Sequence, residues 1–286
     1  TPDRVARIPR NPPDAVVVVV RLALGSGLPS ASSSDTVLPM APTPIILDTD
    51  IGDDVDDVFA LLLAARDPAY DLRAVTCVYG QVERRARLAR HVLDLAGKRE
   101  IPVAVGSADA LSGPVLPGAP GNTMASNDPD LPEPGSRGWD SLGARLDHRF
   151  GPDLIVELVR QSTEPMTLCA IGPLTNVAHA LRAAPDIAAR LGALVIMGGR
   201  LGPEASVGEH NFNMDPEASM YDPASLTLAI DERWVQCEPM ALRIETGPRL
   251  AITHREASGA PNLRASVAID ALGFAAHMMA TILGHG

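Results

Sequence analysis

The chain has 286 residues, of which 46% are hydrophobic and only 3% are aromatic, and its formal net charge is −11. This length and apolar fraction are typical of a globular protein with one large or two smaller domains, and they exclude a wholly disordered chain. The negative charge argues against nucleic acid or an anionic membrane as a partner, but it allows a metal ion or a small neutral or cationic ligand.

The N-terminal 43 residues differ in character from the rest of the chain. Pro-, Ser- and Arg-rich stretches flank an apolar run over 15–24, which is too short to span a bilayer. The order of basic, apolar and small residues is that of a signal peptide, but Asp14 and Arg21 interrupt it. We therefore predict a disordered extension over 1–43, followed by one α/β domain over 44–286.

From residue 44 onward, short β-rich runs alternate with helical patterns. Strands are predicted over 44–47, 72–79, 101–105, 166–171 and 193–197, and helices over about 57–66, 82–97, 151–163 and 174–190. This alternation predicts βαβ units with right-handed crossovers, and hence a Rossmann-like, open, mostly parallel sheet flanked by helices. The Gly- and Pro-rich segment 107–145 is predicted to form a long, mobile flap.

The three cysteines, Cys77, Cys169 and Cys237, are widely spaced and lie in apolar runs. Their spacing matches neither a disulfide framework nor a metal site. We therefore predict buried, reduced thiols and a cytoplasmic protein.

The most unusual stretch of the sequence comes directly after the first strand of the predicted domain. Residues 48–57, DTDIGDDVDD, place six carboxylates in ten positions between two segments with buried character. Like charges at this spacing repel, and removal from water raises the cost, so a positive charge must offset them. Aspartate oxygens around a turn-forming glycine are ligands that suit Ca²⁺ or Mg²⁺. The stretch therefore predicts a divalent cation, in preference to a solvated acidic turn with a helix N-cap.

Four loops follow predicted strands and are expected to meet at one edge of the sheet, where open parallel sheets bind their ligands. The acidic loop is one of them, and the others lie at 79–81, 171–176 and 197–199. Asp48 and Asp50 alternate along the first strand, so we expect one of them to face the ligand and the other to support it. Asn176 is expected to cap the helix that follows it.

Taken in order along the chain, these motifs resemble the nucleoside hydrolase family, the inosine-uridine preferring nucleoside N-ribohydrolases. The acidic loop resembles the family's Asp-x-Asp-x-Gly-x-Asp-Asp signature. Four later segments resemble further family motifs, namely IPVAVG at 101–106, AIGPLTN at 170–176, MGG at 197–199 and EHNFNMDPEA at 209–218. The resemblance implies hydrolysis of the N-glycosidic bond of nucleosides by a water activated with Ca²⁺. It also suggests a homodimer or a homotetramer.

The resemblance assigns a role to residues on several of these loops. Asp50 would bind the ion and act as general base toward water, and the main-chain carbonyl of Ile171 would be a further ligand. Glu209 and Asn211 would hydrogen-bond the ribose hydroxyls, and the alternative for both is loop capping. Gln81 would also reach the ribose, although it stands where the family usually has Asn.

The acidic loop is two residues longer than the family motif, which leaves two alignments open. If the extra residues precede the helix, Asp57 would bind the metal and Asp56 would bind the ribose. If they follow it, Asp53 and Asp54 take those places. The apolar register after the loop favours the first alignment, in which Asp54 is either a further metal ligand or an ordinary loop carboxylate.

The sequence departs from the family pattern in its C-terminal part and in the flap. Arg137 stands where the family has His, and the family's C-terminal His-Asp-Pro segment has no counterpart. The segment 265–283 resembles the helix just before it, so we expect an incomplete domain, and His277 is assigned no role. Loss of that His and Asp would weaken the metal site and cost about 10²–10⁴-fold in rate.

Two other functions stay open at this point. A homologue that lacks the C-terminal acid could bind a nucleoside or ribose without cleaving it. A metal-dependent phosphatase is the second alternative, because a hydrophobic strand followed by Asp-x-Asp also begins haloacid dehalogenase-like enzymes. In that motif a Thr is expected where this chain has Ile51.

Overall fold

The computed structural model describes residues 18–20, 41–116, 119, 136–199, 209–219, 235–247, 250–256, 261, 263–269 and 271–283. Its strands are β1 (Val18–Val20), β2 (Thr43–Thr49), β3 (Tyr70–Cys77), β4 (Val103–Val105), β5 (Met166–Ala170), β6 (Leu191–Ile196), β7 (Val235–Met240), β8 (Leu242–Gly247), β9 (Leu250–Arg255) and β10 (Leu263–Ile269). Its helices are α1 (Asp56–Arg66), α2 (Val82–Leu95), α3 (Arg137–Gly143), α4 (Gly151–Gln161), α5 (Thr175–Ala183), α6 (His210–Met214), α7 (Pro216–Ser219) and α8 (Ala271–Leu283), with a 3₁₀ turn at Pro185–Ala189.

Among these residues, eight strands form one sheet in the order β4-β3-β2-β5-β6-β1-β10-β7, and β8 pairs with β9 apart from it. The first five strands in that order run parallel, whereas β1, β10 and β7 are antiparallel to their neighbours. The predicted open, mostly parallel sheet flanked by helices is therefore confirmed. Each of the five predicted strands is present, with bounds that differ by a few residues.

The central strand β2 sends alternate side chains into two separate cores. Ile46 lies in a cluster with Leu154 and Val177, from α4 and α5, on one face of the sheet. Ile45 and Leu47 lie in the cluster on the other face, which includes residues of α1 and α2. Burial on both faces explains why this strand is an uninterrupted apolar run, and it places the acidic loop at the middle of the carboxyl edge.

The two ends of the chain contribute strands that sequence analysis assigned differently. Val18–Val20 form a strand between β6 and β10, so the prediction of disorder is wrong for these three residues. The physical reason is that consecutive β-branched valines favour a strand. The rest of the extension up to residue 40 lies outside the described residues. The predicted helical segment 265–283 is also corrected: residues 265–269 belong to β10 and pair with β7, and the helix begins only at Ala271.

The structure describes 107–116, 119 and 136–145 of the predicted flap. Residues 137–143 form α3, whose N-cap Ser136 accepts a hydrogen bond on its side-chain oxygen from Trp139 N at 3.2 Å. The buried Trp139 ring packs under the Arg87 guanidinium, which lies 4.6 Å from the ring centroid. A buried aromatic anchor therefore holds this end of the segment on α2, and most of 117–135 lies outside the described residues.

Cys77 and Cys169 are free thiols; Cys77 is fully buried, as predicted, whereas Cys169 is only partly buried. The burial of Cys237 lies outside the described side chains. None of the described helices is long and apolar enough to cross a bilayer.

Candidate metal and substrate site

The carboxyl ends of β2, β3 and β5 lie side by side, because these strands are parallel neighbours. Ile171 N donates to the Asp48 carbonyl at 2.9 Å, which joins the loop after β5 to the end of β2. Met197 N likewise donates to the Ala170 carbonyl at 2.9 Å, which brings the loop after β6 to the same edge. The expected convergence of loops at this edge is therefore present in the structure.

Asp48 lies beneath this edge and is fully buried. Its Oδ1 accepts hydrogen bonds from Thr76 Oγ1 at 2.5 Å and from Asn176 Nδ2 at 2.7 Å. Among the described residues, Asp48 Oδ2 has no hydrogen-bond partner. Burial raises the pKa of Asp48 to about 7, although the hydrogen bonds from Asn176 and Thr76 oppose this rise. Of the two alternating aspartates, Asp48 is therefore the supporting one.

Asn176 does not cap α5, contrary to expectation. The N-cap position of that helix is Leu174, without a side-chain hydrogen bond, and Asn176 is fully buried. Its side chain donates to Asp48 and to the Cys77 carbonyl at 3.1 Å, and it accepts from Ser107 N at 2.8 Å. Asn176 thus joins β2, β3 and the start of the flap, because a buried amide must satisfy both its donor and its acceptor groups.

The buried Asp48 is expected to make the metal-free protein less stable as the pH rises. Its pKa is higher in the folded than in the unfolded state, so the folded state binds more protons between about pH 4 and pH 7. The free energy of unfolding therefore falls across that window as the pH rises. Asp48→Asn cannot ionise, so chemical denaturation at about pH 5 and pH 8 should show a smaller pH effect for this variant.

The exposed carboxylate Asp71 on β3 offers a matched control for this experiment, because its side chain is 42% exposed. Asp71→Asn should retain the full pH effect. An equal pH effect in Asp48→Asn and the wild-type chain would contradict the prediction.

Three carboxylates lie close together at the N-terminal end of α1. Asp54, Asp56 and Asp57 each offer an oxygen, and these atoms all lie within 4.8 Å of one another. Asp57 is held in place by Thr49, whose Oγ1 donates to Asp57 Oδ1 at 2.7 Å. The set consists of hard oxygen donors with negative charge, which is the chemistry that Ca²⁺ and Mg²⁺ require.

The carboxylates of this loop hold their protons more tightly than free aspartate. A hydrogen bond with Asp56, together with burial and repulsion, raises the pKa of Asp54 to about 7. Burial is the main cause that raises the pKa of Asp57 to about 6, and the charge of Asp56 adds to it. Burial and the charge of Asp57 raise the pKa of Asp50 well above its usual range. Burial and crowding together therefore disfavour the charged forms, and a bound cation would reverse this.

The predicted site residues of the acidic loop separate into two groups. Asp54, Asp56 and Asp57 form the cluster, and Asp50 is close enough for the charge of Asp57 to act on its pKa. Asp53 is not one of the three clustered carboxylates, and its Oδ2 lies 2.6 Å from Arg85 Nη2, but its charge also contributes to the raised pKa of Asp50, Asp54 and Asp57.

The loop after β5 approaches Asp50 through Gly172. A Cβ atom on Gly172 would lie 2.7 Å from Asp50 Oδ1 and 2.9 Å from Asp50 N, which is too close for any side chain. The preceding carbonyl, that of Ile171, accepts a hydrogen bond from Asn211 Nδ2 at 3.0 Å. The Gly-Pro-Leu-Thr-Asn loop therefore connects Asp50 with Asn211, and a carbonyl with two lone pairs can still bind a second partner.

Glu209 and Asn211 lie at the start of α6, and both are buried. Glu209 is the N-cap: its two carboxylate oxygens accept from Asn211 N and Phe212 N, each at 3.1 Å. Asn211 Nδ2 donates to the Met197 carbonyl at 3.1 Å as well as to that of Ile171. Glu209 therefore caps α6, and Asn211 anchors α6 to two loops of the site edge.

Gln81 follows two residues in the left-handed region, Tyr79 with φ 72° and Gly80 with φ 65°. A tyrosine in this region costs of order 1–3 kcal/mol, so the surrounding contacts must hold it there. Tyr79 N donates to the Ser107 carbonyl at 2.7 Å, and Gln81 Oε1 accepts from Arg84 Nη1 at 3.4 Å. Gln81 is half-buried at the N-terminus of α2.

Sequence analysis missed Arg85, a fully buried arginine that reaches the acidic loop from α2. Its guanidinium contacts the Asp53 carboxylate and main-chain carbonyls of the loop. The signal was present in the sequence, because Val82, Ala86 and Ala89 define the buried face of α2 and Arg85 lies on that face. In the described chain, this arginine supplies part of the positive charge that the acidic loop requires.

Fold and site together define an α/β protein with a carboxylate-rich site at the carboxyl edge of its parallel sheet. Residues 45–221 match the family described as inosine-uridine preferring nucleoside hydrolase. The chain belongs to this family, and the resemblance of its motifs is thereby confirmed.

Curated relatives and solved structures agree with this assignment. The chain is 34% identical over 182 residues to the pyrimidine-specific ribonucleoside hydrolase RihA of Photobacterium profundum and 36% identical over 182 residues to that of Enterobacter sp.. Each alignment covers 62% of this chain and 55% of the relative, so the chain spans about half the length of the curated relatives it matches. The purine-preferring ribonucleoside hydrolase from Gardnerella vaginalis has the same fold, with a TM-score of 0.70 at 21% identity over 85% of this chain and 98% of that chain.

Proposed function

We propose that this chain hydrolyses the N-glycosidic bond of ribonucleosides to a free base and ribose, with Ca²⁺ held at the acidic loop. The gathering of Asp54, Asp56 and Asp57 carries the proposal, and the charge of Asp57 reaches Asp50. Family membership supports it, because the relatives with matching sequence are named as ribonucleoside hydrolases. The family match gives no support to the phosphatase alternative.

Asp50, Asp57 and the carbonyl of Ile171 would hold the ion, with Asp54 as a further ligand. When bound, Ca²⁺ supplies a Lewis acid that lowers the pKa of water and orients it. Asp50 would accept the proton of the attacking water. The low polarity around this partly buried group strengthens each of these interactions.

We favour the alignment in which Asp56 and Asp57 are the family's Asp pair. Asp53 forms an ion pair with Arg85. Asp57 instead accepts a hydrogen bond from Thr49, and its charge contributes to the raised pKa of Asp50. Asp56 would then bind the ribose hydroxyls from the first turn of α1. The two extra residues of the loop accordingly precede the helix.

Glu209, Asn211 and Gln81 would complete the ribose site. Asn211 is joined to the acidic loop through Ile171 and the adjacent Gly172, which supports a role for it at the sugar. Glu209 presents a carboxylate that can accept from a hydroxyl on lone pairs not used by the helix cap. Such buried polar groups favour substrates that carry the matching hydroxyls.

The group that protonates the leaving base is not His277. Its Nε2 lies 2.7 Å from Asp67 Oδ2, which is at the C-terminal end of α1, whereas the acidic cluster is at the N-terminal end. A purine or pyrimidine that needs protonation would therefore depend on another donor. Binding without turnover is the second candidate function.

Ribose release from inosine and uridine in the presence of Ca²⁺ tests the proposal. Measurable release that chelation abolishes is the expected result. Calorimetry then separates the two candidates, because a nucleoside that binds without release of ribose identifies a binding protein. Absence of both binding and release would reject the proposal.

Gly172→Ala is expected to lower kcat by about 10–100-fold, since a shift of about 1 Å in a catalytic group has an effect of this size. The added Cβ would push Asp50 away from its position. Gly192→Ala is the matched control, because its Cβ would lie 2.9 Å from Pro165 at the amino end of β6, far from the site. Thermal unfolding and kcat measured together should show a loss of kcat only at Gly172.

A homodimer or homotetramer remains a prediction from the resemblance, and a cytoplasmic location remains one from the cysteines. Light scattering of the purified chain would decide the first. Fractionation of cells that express the natural protein would decide the second.

A further inference from the structure

Arg85 lies between the two loops that carry Asp50 and Gln81. Its side chain is 0% exposed, yet the guanidinium points toward the acidic loop and not into the apolar core. Nη1 donates to the carbonyl of Asp50 and, at 3.1 Å, to that of Ile51, and Nη2 donates to Asp53 Oδ2 at 2.6 Å. Nε donates to the Tyr79 carbonyl at 2.8 Å.

Arg85 donates hydrogen bonds to main-chain carbonyls of both loops. Tyr79 is in the left-handed region, and its carbonyl is fixed by the guanidinium. Asp50 and Ile51 form the first turn of the acidic loop, and both of their carbonyls are fixed by Nη1. Only a planar guanidinium presents donors in these directions at once, because the ammonium of lysine is a single point charge.

We propose that Arg85 is a positioning residue of the metal site. Its guanidinium fixes the main chain at Asp50 and pairs with Asp53, so that Asp54 and Asp57 remain for the cation. The inference rests on the proposed function only where Ca²⁺ binding is measured.

A counter-charge role and a positioning role of Arg85 predict opposite changes in cation affinity when the residue is removed. The direction of the change in affinity therefore tests the proposal. A buried positive charge near the site repels a divalent cation, so its removal should tighten cation binding if Arg85 were only a counter-charge. If Arg85 positions the loop, removal or replacement by lysine should weaken binding, because partners that orient metal ligands affect affinity about 10–100-fold.

Arg90 offers a matched control on the same helix. It is also buried, at 1% exposure, and it pairs with Asp94 at 3.0 Å. It donates to the carbonyls of Ile101 at 2.6 Å and Lys98 at 2.7 Å. Arg90 therefore has the same kind of contacts as Arg85, but they lie at the C-terminal end of α2, away from the acidic loop.

Hydrogen–deuterium exchange of the metal-free full chain tests the proposal without any metal or substrate. Arg85→Lys and Arg85→Met should exchange faster than wild type over residues 50–57, whereas Arg90→Lys should exchange faster only around 98–101. Unchanged protection of 50–57 in Arg85→Lys would overturn the proposal. Loss of protection throughout the chain in that variant would also overturn it, because Arg85 would then be a general folding residue.

Calorimetric titration with Ca²⁺ supplies the second measurement. Arg85→Lys should bind Ca²⁺ at least about tenfold more weakly than wild type, and Arg90→Lys should bind it with unchanged affinity. Unchanged or tighter binding in Arg85→Lys would overturn the positioning role. If the wild-type chain itself takes up no Ca²⁺, the proposed function fails, and the exchange experiment still decides the role of Arg85.

Discussion

Asp50→Asn is expected to lower kcat for ribose release by about 10²–10⁴-fold, the range for loss of a general base. The amide keeps the shape of the side chain beside Gly172 but cannot accept the proton of water. The free energy of unfolding of the metal-free variant, unlike its kcat, should not fall. Because burial and the charge of Asp57 disfavour the ionised form of Asp50, the metal-free variant should be at least as stable as wild type near pH 8.

Asp53→Asn is the matched comparison for this variant, because the two residues share one loop and Asp53 pairs with Arg85. Its kcat should fall by less than about tenfold, since it holds neither water nor metal in the proposed site. The measurements are the kinetic constants of both variants with Ca²⁺ present and their thermal unfolding without Ca²⁺. An Asp50→Asn enzyme within tenfold of wild type would remove Asp50 from its role as base.

Ca²⁺ is expected to raise the Tm of the chain by about 5–10 °C at a concentration of about 100 times Kd. Binding to the folded state alone contributes about 2.7 kcal/mol at that concentration, and 1 kcal/mol corresponds to about 2–4 °C for a chain of this size. Asp57→Asn should abolish most of the increase, because it removes a ligand that Thr49 holds in position. Asp71→Asn should leave it unchanged.

The increase in Tm should shrink as the pH falls. The pKa of Asp54 is raised to about 7 and that of Asp57 to about 6, so protons compete with the cation below those values. Thermal unfolding with and without Ca²⁺ at about pH 8 and pH 5.5 measures the effect, and Mg²⁺ in place of Ca²⁺ tests the choice of ion. An increase that persists unchanged at the lower pH, or in Asp57→Asn, would place the ion elsewhere.

Local patterns in the sequence were sufficient to predict the parallel half of the sheet and the place of the carboxylate cluster. The apolar run of β2 followed by DTDIGDDVDD contains both signals within about fifteen residues, and the order of the later motifs identified the family. Five crossover strands could be predicted because each combines a β-rich run with a following helix of suitable length. The antiparallel strands were missed, since pairing of Val18–Val20 with residues near 265 has no local signature.

The sequence by itself determined which carboxylates crowd together at the end of the first strand. The tertiary structure alone decided what each of them contacts. Asp48 meets Asn176 across 128 positions of the chain, and Asp53 meets Arg85 across 32, so neither pairing follows from local spacing. A buried charge or amide is placed by the packing of whole helices and strands around it, and that packing depends on long-range contacts which no short motif contains.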